Sequence, residues 1–290
     1  MVEPAGKAEL APSLASRAGY LLYRAFQVVQ QTYLATLDGQ PHPRELTLLA
    51  RLLAEGPIPQ HELAQSLSVN RSVMVHIVDD LERAGLATRE RNPDDRRSHL
   101  IAATAAGAAA LRAAAPAIED ADARLAGNLT AAAQRRLREL LATLLGPGLP
   151  ATVPPVSDTV GYRIARAHFA LRARADTALD PLGIDVRQFG VLSTVRDVGP
   201  CSQQRLATLL DVSGPVIVEL IDALEARKLV ARERNPADRR SYALRLTRAG
   251  EAMLARAGAA ITKVEADITE RLSGERLDEL CALLRTLLGA

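Results

Sequence analysis

Several residue types are scarce in this 290-residue chain, and each scarcity excludes a class of protein. Tryptophan is absent, aromatic residues make up 3% of the sequence, and only two cysteines occur, Cys201 and Cys281. Two cysteines cannot form the disulfide framework of a small secreted domain. No apolar run reaches the roughly 18 residues of a membrane-spanning helix, and the N-terminus lacks the pattern of a secretory signal. We therefore expect a cytoplasmic protein with no membrane partner.

Lysine is also scarce, since Lys7, Lys228 and Lys263 are the only lysines among 36 basic residues. The net charge is +2, with 24% charged and 48% hydrophobic residues, which is a normal balance for a folded globular protein. Because the net charge is so small, any binding to nucleic acid must come from local clusters of arginine.

Sequence motifs of enzymes and cofactor sites are missing as well. There is no phosphate-binding glycine loop, no dinucleotide fingerprint and no Gly-x-Ser-x-Gly nucleophile turn. The segment "HELAQ" at 61–65 begins like a zinc-protease helix, but glutamine stands where the second histidine ligand is needed. The five histidines have no spacing typical of a metal site. The sequence therefore predicts a protein that is not an enzyme and holds no metal or cofactor.

The sequence does contain a long internal repeat. The segment "RERNPDDRRS" at Arg89–Ser98 returns as "RERNPADRRS" at Arg232–Ser241, an offset of 143 residues. This offset holds from about residue 43 onward, while Tyr20 matches Tyr162 at an offset of 142. Four prolines between 147 and 155 indicate a short connector between the copies. The predicted domains are a first unit at 1–148, a linker at 149–156 and a second unit at 157–290.

Each copy has the pattern of a helix-turn-helix followed by a basic hairpin. In the first copy, helices are predicted over 13–37, 44–55 and 60–66, and another after Asn70 with a buried stripe of Val73, Ile77, Val78 and Leu81. The Asn-Pro turn predicts a β-hairpin between extended segments at about 86–91 and 98–103. A winged helix-turn-helix of this kind suits DNA, because its second helix fits the major groove and its hairpin reaches phosphates or the minor groove.

The segments "LERAGLATRERNPDDRRSHLIAATAAG" and "LEARKLVARERNPADRRSYALRLTRAG" resemble the signature of the multiple-antibiotic-resistance regulator (MarR) family. The resemblance covers both halves of the chain. It implies a mainly α fold with small β-hairpin wings, in which two tandem units form an intramolecular pseudo-dimer through their N- and C-terminal helices. It also implies a transcriptional repressor that binds double-stranded DNA and is released by a small aromatic or phenolic effector. Members of the family are usually homodimers of chains with one unit each, so a chain with two fused units is expected to act as a monomer.

The resemblance carries roles over to individual residues. The wing-positioning residues would be Asp95 and Asp238 with Arg91 and Arg234. The DNA-binding residues would be Arg71, Ser72 and His76 on the recognition helix, with Arg96, Arg97, Arg239 and Arg240 on the wings. The effector-binding residues follow from the sequence itself, because aromatic residues of the first helix recur three positions apart on one face. Tyr20, Tyr23 and Arg24 would line a pocket for the effector, with ordinary packing of the helices as the alternative. Their counterparts in the second copy are Tyr162, Arg166, Phe169 and Phe189.

The recognition helices of the two copies differ, and this opens a second hypothesis. Arg71 and His76 in the first copy stand opposite Gly214 and Glu219 in the second, and a carboxylate close to phosphates is repulsive. A ligand-binding or drug-sequestering protein that has lost specific DNA binding is therefore the alternative function. A redox role is a further possibility for Cys201, whose position near the start of a short helix would lower its pKa.

Overall fold

The computed structural model describes residues 9–67, 69, 71–93, 99–146, 151–234 and 242–290, without the side chains of Ser66, Arg234 and Tyr242. Within these ranges the chain is mainly helical and carries short antiparallel strands. None of the helices in these ranges is both long enough and apolar enough to cross a bilayer.

The first repeat begins with helix α1 at Ala18–Thr36, later than the predicted start at residue 13, because residues 12–16 form turns. The elements that follow it are α2 (Pro43–Glu55), β1 (Ile58–Pro59), α3 (Gln60–Ser66), α4 (Arg71–Arg83), β2 (Ala87–Arg91), β3 (His99–Ala103), α5 (Ala105–Leu125) and α6 (Ala131–Leu145). The strands pair antiparallel in the order β1–β3–β2, with Ile58 opposite Ile101 and Arg91 opposite His99. Helices α3 and α4 form the helix-turn-helix, and β2 and β3 form the wing.

The second repeat has the same order of elements. After a short 3-10 helix at Val156–Asp158, it comprises α7 (Val160–Leu179), α8 (Val186–Val198), α9 (Gln203–Leu210), α10 (Gly214–Ala226), β4 (Val230–Arg234), β5 (Tyr242–Leu246), α11 (Arg248–Leu272) and α12 (Gly274–Leu288). Strands β4 and β5 pair antiparallel, and Cys201 bridges to Leu244 at the place that β1 takes in the first repeat. The prediction of two winged helix-turn-helix units is confirmed.

A Thr-x-x-Gly motif starts the helix that follows each wing. The Thr104 hydroxyl accepts a hydrogen bond from the N–H of Gly107 at 3.0 Å, and Thr247 accepts one from Gly250 at the same distance. A Cβ atom on either glycine would collide with the carbonyl of the residue just before the first wing strand. Glycine is required at both positions because α5 and α11 pack directly on that backbone.

The described residues form two compact units, and each combines segments of both repeats. The wing-1 unit is Phe26–Arg166, and the wing-2 unit joins the residues up to Ala25 to Ala167–Ala290. The changeovers fall inside α1 and α7, so each of these helices contributes its first part to one unit and its second part to the other. The predicted boundary at 149–156 separates the two sequence repeats. The compact units are defined by packing instead, so their boundaries lie at other residues, inside α1 and α7.

Each unit has its own hydrophobic core, into which its recognition helix packs. The buried side chains of α4 are Met74, Ile77, Val78 and Leu81. Met74 therefore takes the place predicted for Val73, which is only partly buried, because residues 74, 77, 78 and 81 share one face of a helix. In the wing-2 unit, the segment before α1 contributes Ala11 and Leu14 to the core.

Candidate DNA-binding and effector sites

The recognition helix of the wing-1 unit presents the predicted polar residues to solvent. Arg71, Ser72 and His76 are exposed on the first two turns of α4. The equivalent face of α10 is less polar, because Val218 is 40% exposed there and stands beside the exposed Glu219. The two helices therefore expose different side chains, and the contact of either helix with DNA bases stays a prediction.

An arginine on the first strand of each wing holds that strand to the recognition helix. In the wing-1 unit, the Arg89 guanidinium lies 2.7 Å from the Asp79 carboxylate and 3.3 Å from Glu82. In the wing-2 unit, Arg232 pairs with Asp222 and Glu225 in the same way. Sequence reasoning missed this contact. The signal that could have revealed it is the conservation of all three residue types between the two copies at the 143-residue offset.

The predicted wing residues fall mostly outside the described part of the chain. Arg91 is described and lies exposed on β2 opposite His99. The residues outside the described ranges are Asp95, Arg96, Arg97, Asp238, Arg239 and Arg240, together with the side chain of Arg234. The proposed pairing of Arg91 with Asp95, and the DNA contacts of both wing tips, therefore remain predictions.

A cavity of about 170 Å³ lies within the wing-2 unit. Its wall combines residues from before and within α1 with residues from α7, α8, α10 and α11. Aromatic rings of this wall come from both repeats: Tyr20 and Tyr23 from α1, His168 from α7 and Phe189 from α8. The His168 ring lies 5.7 Å from that of Tyr23, centroid to centroid. An engineered apolar cavity of about 150 Å³ binds benzene, so this cavity has room for one aromatic ring.

The rim of the cavity is rich in arginine. Arg17 lies 2.8 Å from the Glu265 carboxylate and 5.9 Å above the centre of the Phe189 ring. Arg172 and Arg187 also line the cavity, and each is partly exposed. A site with an apolar interior and a basic rim suits an aromatic molecule that carries an acidic group.

The two tyrosines of the cavity wall hold the turn of the helix-turn-helix. The Tyr20 hydroxyl donates a hydrogen bond to the Leu209 carbonyl at 2.8 Å, and the Tyr23 hydroxyl donates to the Asp211 carbonyl at 3.1 Å. Asp211 ends α9 in the left-handed conformation, with φ of 53°. The carbonyls that accept these bonds therefore lie at the end of α9 and in the turn that leads into α10.

The remaining predicted effector residues take different positions. Arg24 is buried and does not line the cavity; its guanidinium donates to Tyr20 Oη at 3.0 Å and to the Leu209 carbonyl at 3.2 Å. Tyr162 and Arg166 belong to the wing-1 unit, where the Tyr162 hydroxyl is hydrogen-bonded to Thr152. The structure therefore brings Tyr20, Tyr23 and Arg24 together.

Phe169 lies on α7 beside His168, with ring centres 5.2 Å apart, and it is not part of the cavity wall. Sequence reasoning missed His168 as a residue of this wall.

Burial sets the ionisation of the polar groups in the wing-2 cavity. It lowers the pKa of His168 to about 4, helped by the nearby Arg172 cation, so the imidazole is neutral at pH 7. Burial and the Asp211 carboxylate raise the pKa of Tyr23 to about 12. In the wing-1 unit, burial also raises the pKa of Tyr162 and lowers that of Arg166. The Tyr23 hydroxyl is therefore a neutral hydrogen-bond donor to the Asp211 carbonyl.

The two cysteines are buried thiols in the wing-2 unit. Burial raises the pKa of each to about 11. For Cys201 this is opposite to the expectation that its helix would lower the pKa, because burial outweighs the nearby Arg205 cation. In the part of the chain that the structure describes, no cluster of His, Cys, Asp or Glu residues is arranged to hold a metal ion.

Comparisons with known proteins agree with the geometry. Models of the MarR family match this chain twice, at residues 42–99 and 182–241. A protein of Thauera aromatica, described as a regulatory protein for the hcr operon, is 32% identical over 133 residues, which is 46% of this chain and 80% of the relative. The chain belongs to the MarR family. It carries two MarR regions in tandem, and the family predicted from the repeated wing motif is confirmed.

Solved structures of a transcriptional repressor also match parts of the chain. The repressor CouR bound to a 23-mer DNA duplex is 36% identical, covers 45% of this chain and 93% of its own, and has a TM-score of 0.43. CouR from Rhodococcus jostii RHA1 bound to p-coumaroyl-CoA is 28% identical, covers 41% of this chain and 83% of its own, and has a TM-score of 0.38.

Proposed function

We propose that this MarR-family transcriptional regulator is a DNA-binding repressor, and that a small aromatic molecule in the cavity of the wing-2 unit releases it from DNA. The contacts of Tyr20 and Tyr23 carry the proposal. Each ring forms part of the cavity wall, and each hydroxyl binds a carbonyl at the end of α9 or in the turn before α10. A ligand that displaces either ring acts directly on the start of a recognition helix, and so favours one conformation over another.

The charges around the cavity support an aromatic acid as the effector. An aromatic body suits the apolar interior, and Arg172 and Arg187 at the partly exposed rim suit a carboxylate. All three arginines already pair with a carboxylate: Arg17 with Glu265 at 2.8 Å, Arg172 with Asp176 at 3.5 Å and Arg187 with Asp185 at 2.8 Å. Arg172 and Arg187 are the more exposed of the three, so they can turn towards an added acid at the smaller cost.

The exposed face of α4 supports sequence-specific reading of DNA by the wing-1 unit. Arg71 and His76 supply the donors that base edges in the major groove accept, and Ser72 adds a hydroxyl. The arginines of the two wings supply contacts to phosphates, which carry affinity rather than specificity.

The face of α10 is the observation that favours the second candidate function, a ligand-binding protein without specific DNA binding. Val218 and Glu219 dominate its exposed surface, and Gly214 and Pro215 begin the helix. Selection of DNA from a random library with the purified protein separates the two functions. Enrichment of a defined DNA site supports the repressor. Recovery of DNA without any preferred sequence, together with tight binding of aromatic acids, supports the alternative.

Coupling between the cavity and DNA is tested on the selected site by fluorescence anisotropy. We expect 4-hydroxybenzoate or 4-hydroxycinnamate to weaken DNA binding by about 5-fold to 150-fold, the usual range of allosteric coupling. Tyr23→Phe should reduce this effect while ligand affinity is kept, because the ring stays and the bond to the turn is lost. Tyr162→Phe is the control in the other unit and should leave the coupling unchanged. A ligand that binds without altering DNA affinity refutes the repressor mechanism.

The proposal also includes the assembly state, one chain that acts as a pseudo-dimer. Two MarR regions in a single chain support it, because the family resemblance implies dimers of chains with one region each. Light scattering should give a particle near 31.0 kDa, the mass of one chain. A stable particle of twice that mass contradicts this part of the proposal.

A further inference from the structure

The two compact units are built from equivalent residues, and one position differs in a way that matters for the cavity. At the 142-residue offset, Gly19 on α1 corresponds to Gly161 on α7, and Tyr33 on α1 corresponds to Ala175 on α7. The alignment is supported by identical pairs along the two helices, Tyr20/Tyr162, Arg24/Arg166 and Ala25/Ala167, and by Leu37, just after α1, with Leu179 at the end of α7. Position 33 therefore carries a phenol where position 175 carries a methyl group.

In the wing-1 unit, Tyr33 is buried against the start of α7. Its hydroxyl donates to Asp122 Oδ1 at 3.0 Å, and the N–H groups of Val160 and Gly161 donate to the same carboxylate at 3.0 and 2.9 Å. A Cβ atom on Gly161 would lie only 2.8 Å from the ring and the hydroxyl of Tyr33. The Tyr33 phenol therefore fills the space beside Gly161.

In the wing-2 unit, the space beside the equivalent glycine is open, and Gly19 is exposed where Gly161 is buried. A Cβ atom on Gly19 would meet no other heavy atom within 4 Å. Gly19 and Ala175 both line the cavity, as does Glu265, which corresponds to Asp122 at the 143-residue offset. Three residues that surround or carry the Tyr33 phenol in one unit thus have their counterparts on the cavity wall of the other.

We propose that Tyr33 is a built-in phenol that occupies, in the wing-1 unit, the position that a ligand ring takes in the cavity of the wing-2 unit. The proposal rests on the proposed function of that cavity as an effector site. It follows that each chain binds one effector molecule, in the wing-2 unit alone, and that the wing-1 unit is held permanently in its filled form.

The built-in phenol also specifies the class of ligand. The Tyr33 hydroxyl donates to a carboxylate, so the ring of a ligand beside Ala175 should carry a hydroxyl that donates to Glu265. A para-substituted phenol fits this description, because its substituent would lie where the Tyr33 methylene lies, beside Ala175 and one helical turn after Arg172 on α7. Burial and the Asp122 carboxylate raise the pKa of Tyr33, which keeps its phenol neutral, and a ligand phenol is expected to bind in the same neutral form.

The test uses p-cresol, the side chain of tyrosine itself, as the probe, and isothermal titration calorimetry as the measurement. We expect about one p-cresol per chain for the natural protein, about two for Tyr33→Ala and none for Ala175→Tyr, because a ring either vacates or fills each site. Tyr33→Phe is the matched control and should stay at about one, because the ring remains. The analogue 4-methylanisole cannot donate a hydrogen bond and should bind the natural protein about tenfold more weakly or worse.

Thermal unfolding of the same variants provides an independent readout. Tyr33→Ala should lower Tm by about 5 °C or more, and p-cresol should restore part of the loss. Ala175→Tyr should fold and should not respond to p-cresol. Two sites in the natural protein, no site in the natural protein, no gain of a site in Tyr33→Ala, or unchanged binding in Ala175→Tyr each overturn the proposal.

Failure of the proposed function gives a different result. These titrations contain no DNA, so the pattern of one, two and no sites supports the built-in phenol even where the ligand leaves DNA affinity unchanged. Conversely, an effector that weakens DNA binding while p-cresol occupies two sites per chain supports the proposed function and contradicts the built-in phenol.

Discussion

Gly19 and Gly161 occupy the same position in two equivalent helices, and we predict opposite effects on stability when each is replaced by alanine. Alanine is more favourable than glycine inside a helix by about 0.5–1 kcal/mol, and less so in the first turn, where these residues lie. An alanine Cβ at position 19 meets no other heavy atom within 4 Å. Gly19→Ala should therefore raise the free energy of unfolding by up to about 0.5 kcal/mol.

At position 161 the same methyl group collides with a fixed ring. The new Cβ would lie 2.8 Å from Cε2 and Oη of Tyr33 and 2.9 Å from Cζ. The ring cannot easily retreat, because it is buried and its hydroxyl is held by Asp122. Overpacking of this kind costs about 1–3 kcal/mol, so Gly161→Ala should lower the free energy of unfolding by about 1–2 kcal/mol after the helix gain is subtracted.

Urea denaturation of the two variants, followed by circular dichroism, measures the difference directly. The predicted difference in free energy of unfolding between the two variants is about 2 kcal/mol. This is well above the error that remains when two urea midpoints are compared with the same m-value. The double variant Tyr33→Ala with Gly161→Ala isolates the contact, because the alanine penalty should vanish once the ring is gone. Equal effects of the two glycine substitutions, or a penalty that persists without Tyr33, would refute the claim that this ring fills the space.

Three further predictions concern DNA contact, the wing and pH. Arg71→Ala should weaken binding to a selected site by about 1–3 kcal/mol and relax the preference in one half-site, whereas Glu219→Ala should leave preference unchanged in the same DNA selection. Arg89→Gln should lower the free energy of unfolding by about 1 kcal/mol in urea, because it removes two partly exposed ion pairs. His168 has a pKa of about 4 in the folded protein, below its ordinary value of 6.5. Between pH 6.5 and pH 4 this imidazole is therefore protonated in the unfolded chain but not in the folded protein, so the free energy of unfolding falls as the pH drops from 7 to 4. This contribution is about 3 kcal/mol at most, and His168→Phe, which copies Phe26 of the other repeat, should remove it from the measured pH dependence.

The local elements were readable from the sequence because their signals are local. The Asn-Pro turns, the arginine-rich hairpins and the Thr-x-x-Gly helix starts involve residues a few positions apart, and each appears twice in the same order. The order of helices and hairpin indicated the winged helix-turn-helix fold, and the resemblance of both motif segments to the MarR signature indicated the family. One register error, Val73 for Met74 on α4, arose because both residues are apolar and only the facing core decides which is buried.

The candidate cavity could be predicted only in part. Tyr20 and Tyr23 were identified from their spacing on one helix, but their partners His168 and Phe189 lie more than 140 positions away. The sequence assigned the two tyrosines to the first repeat, whereas the packing assigns them to the wing-2 unit, because the changeover lies inside α1.

By itself, therefore, the sequence determined the repeat, the elements and the chemistry of the exposed recognition helices, all of which depend on short-range order and solvent contact. Only the tertiary structure decided that Tyr33 fills the space beside Gly161 while Ala175 leaves the equivalent space open. The physical reason is that an aromatic residue on a helix reads the same in the sequence whether it packs in a core, lines a cavity or fills one. Its role depends on which residues, distant in the sequence, pack against it, and only folding brings those residues into contact.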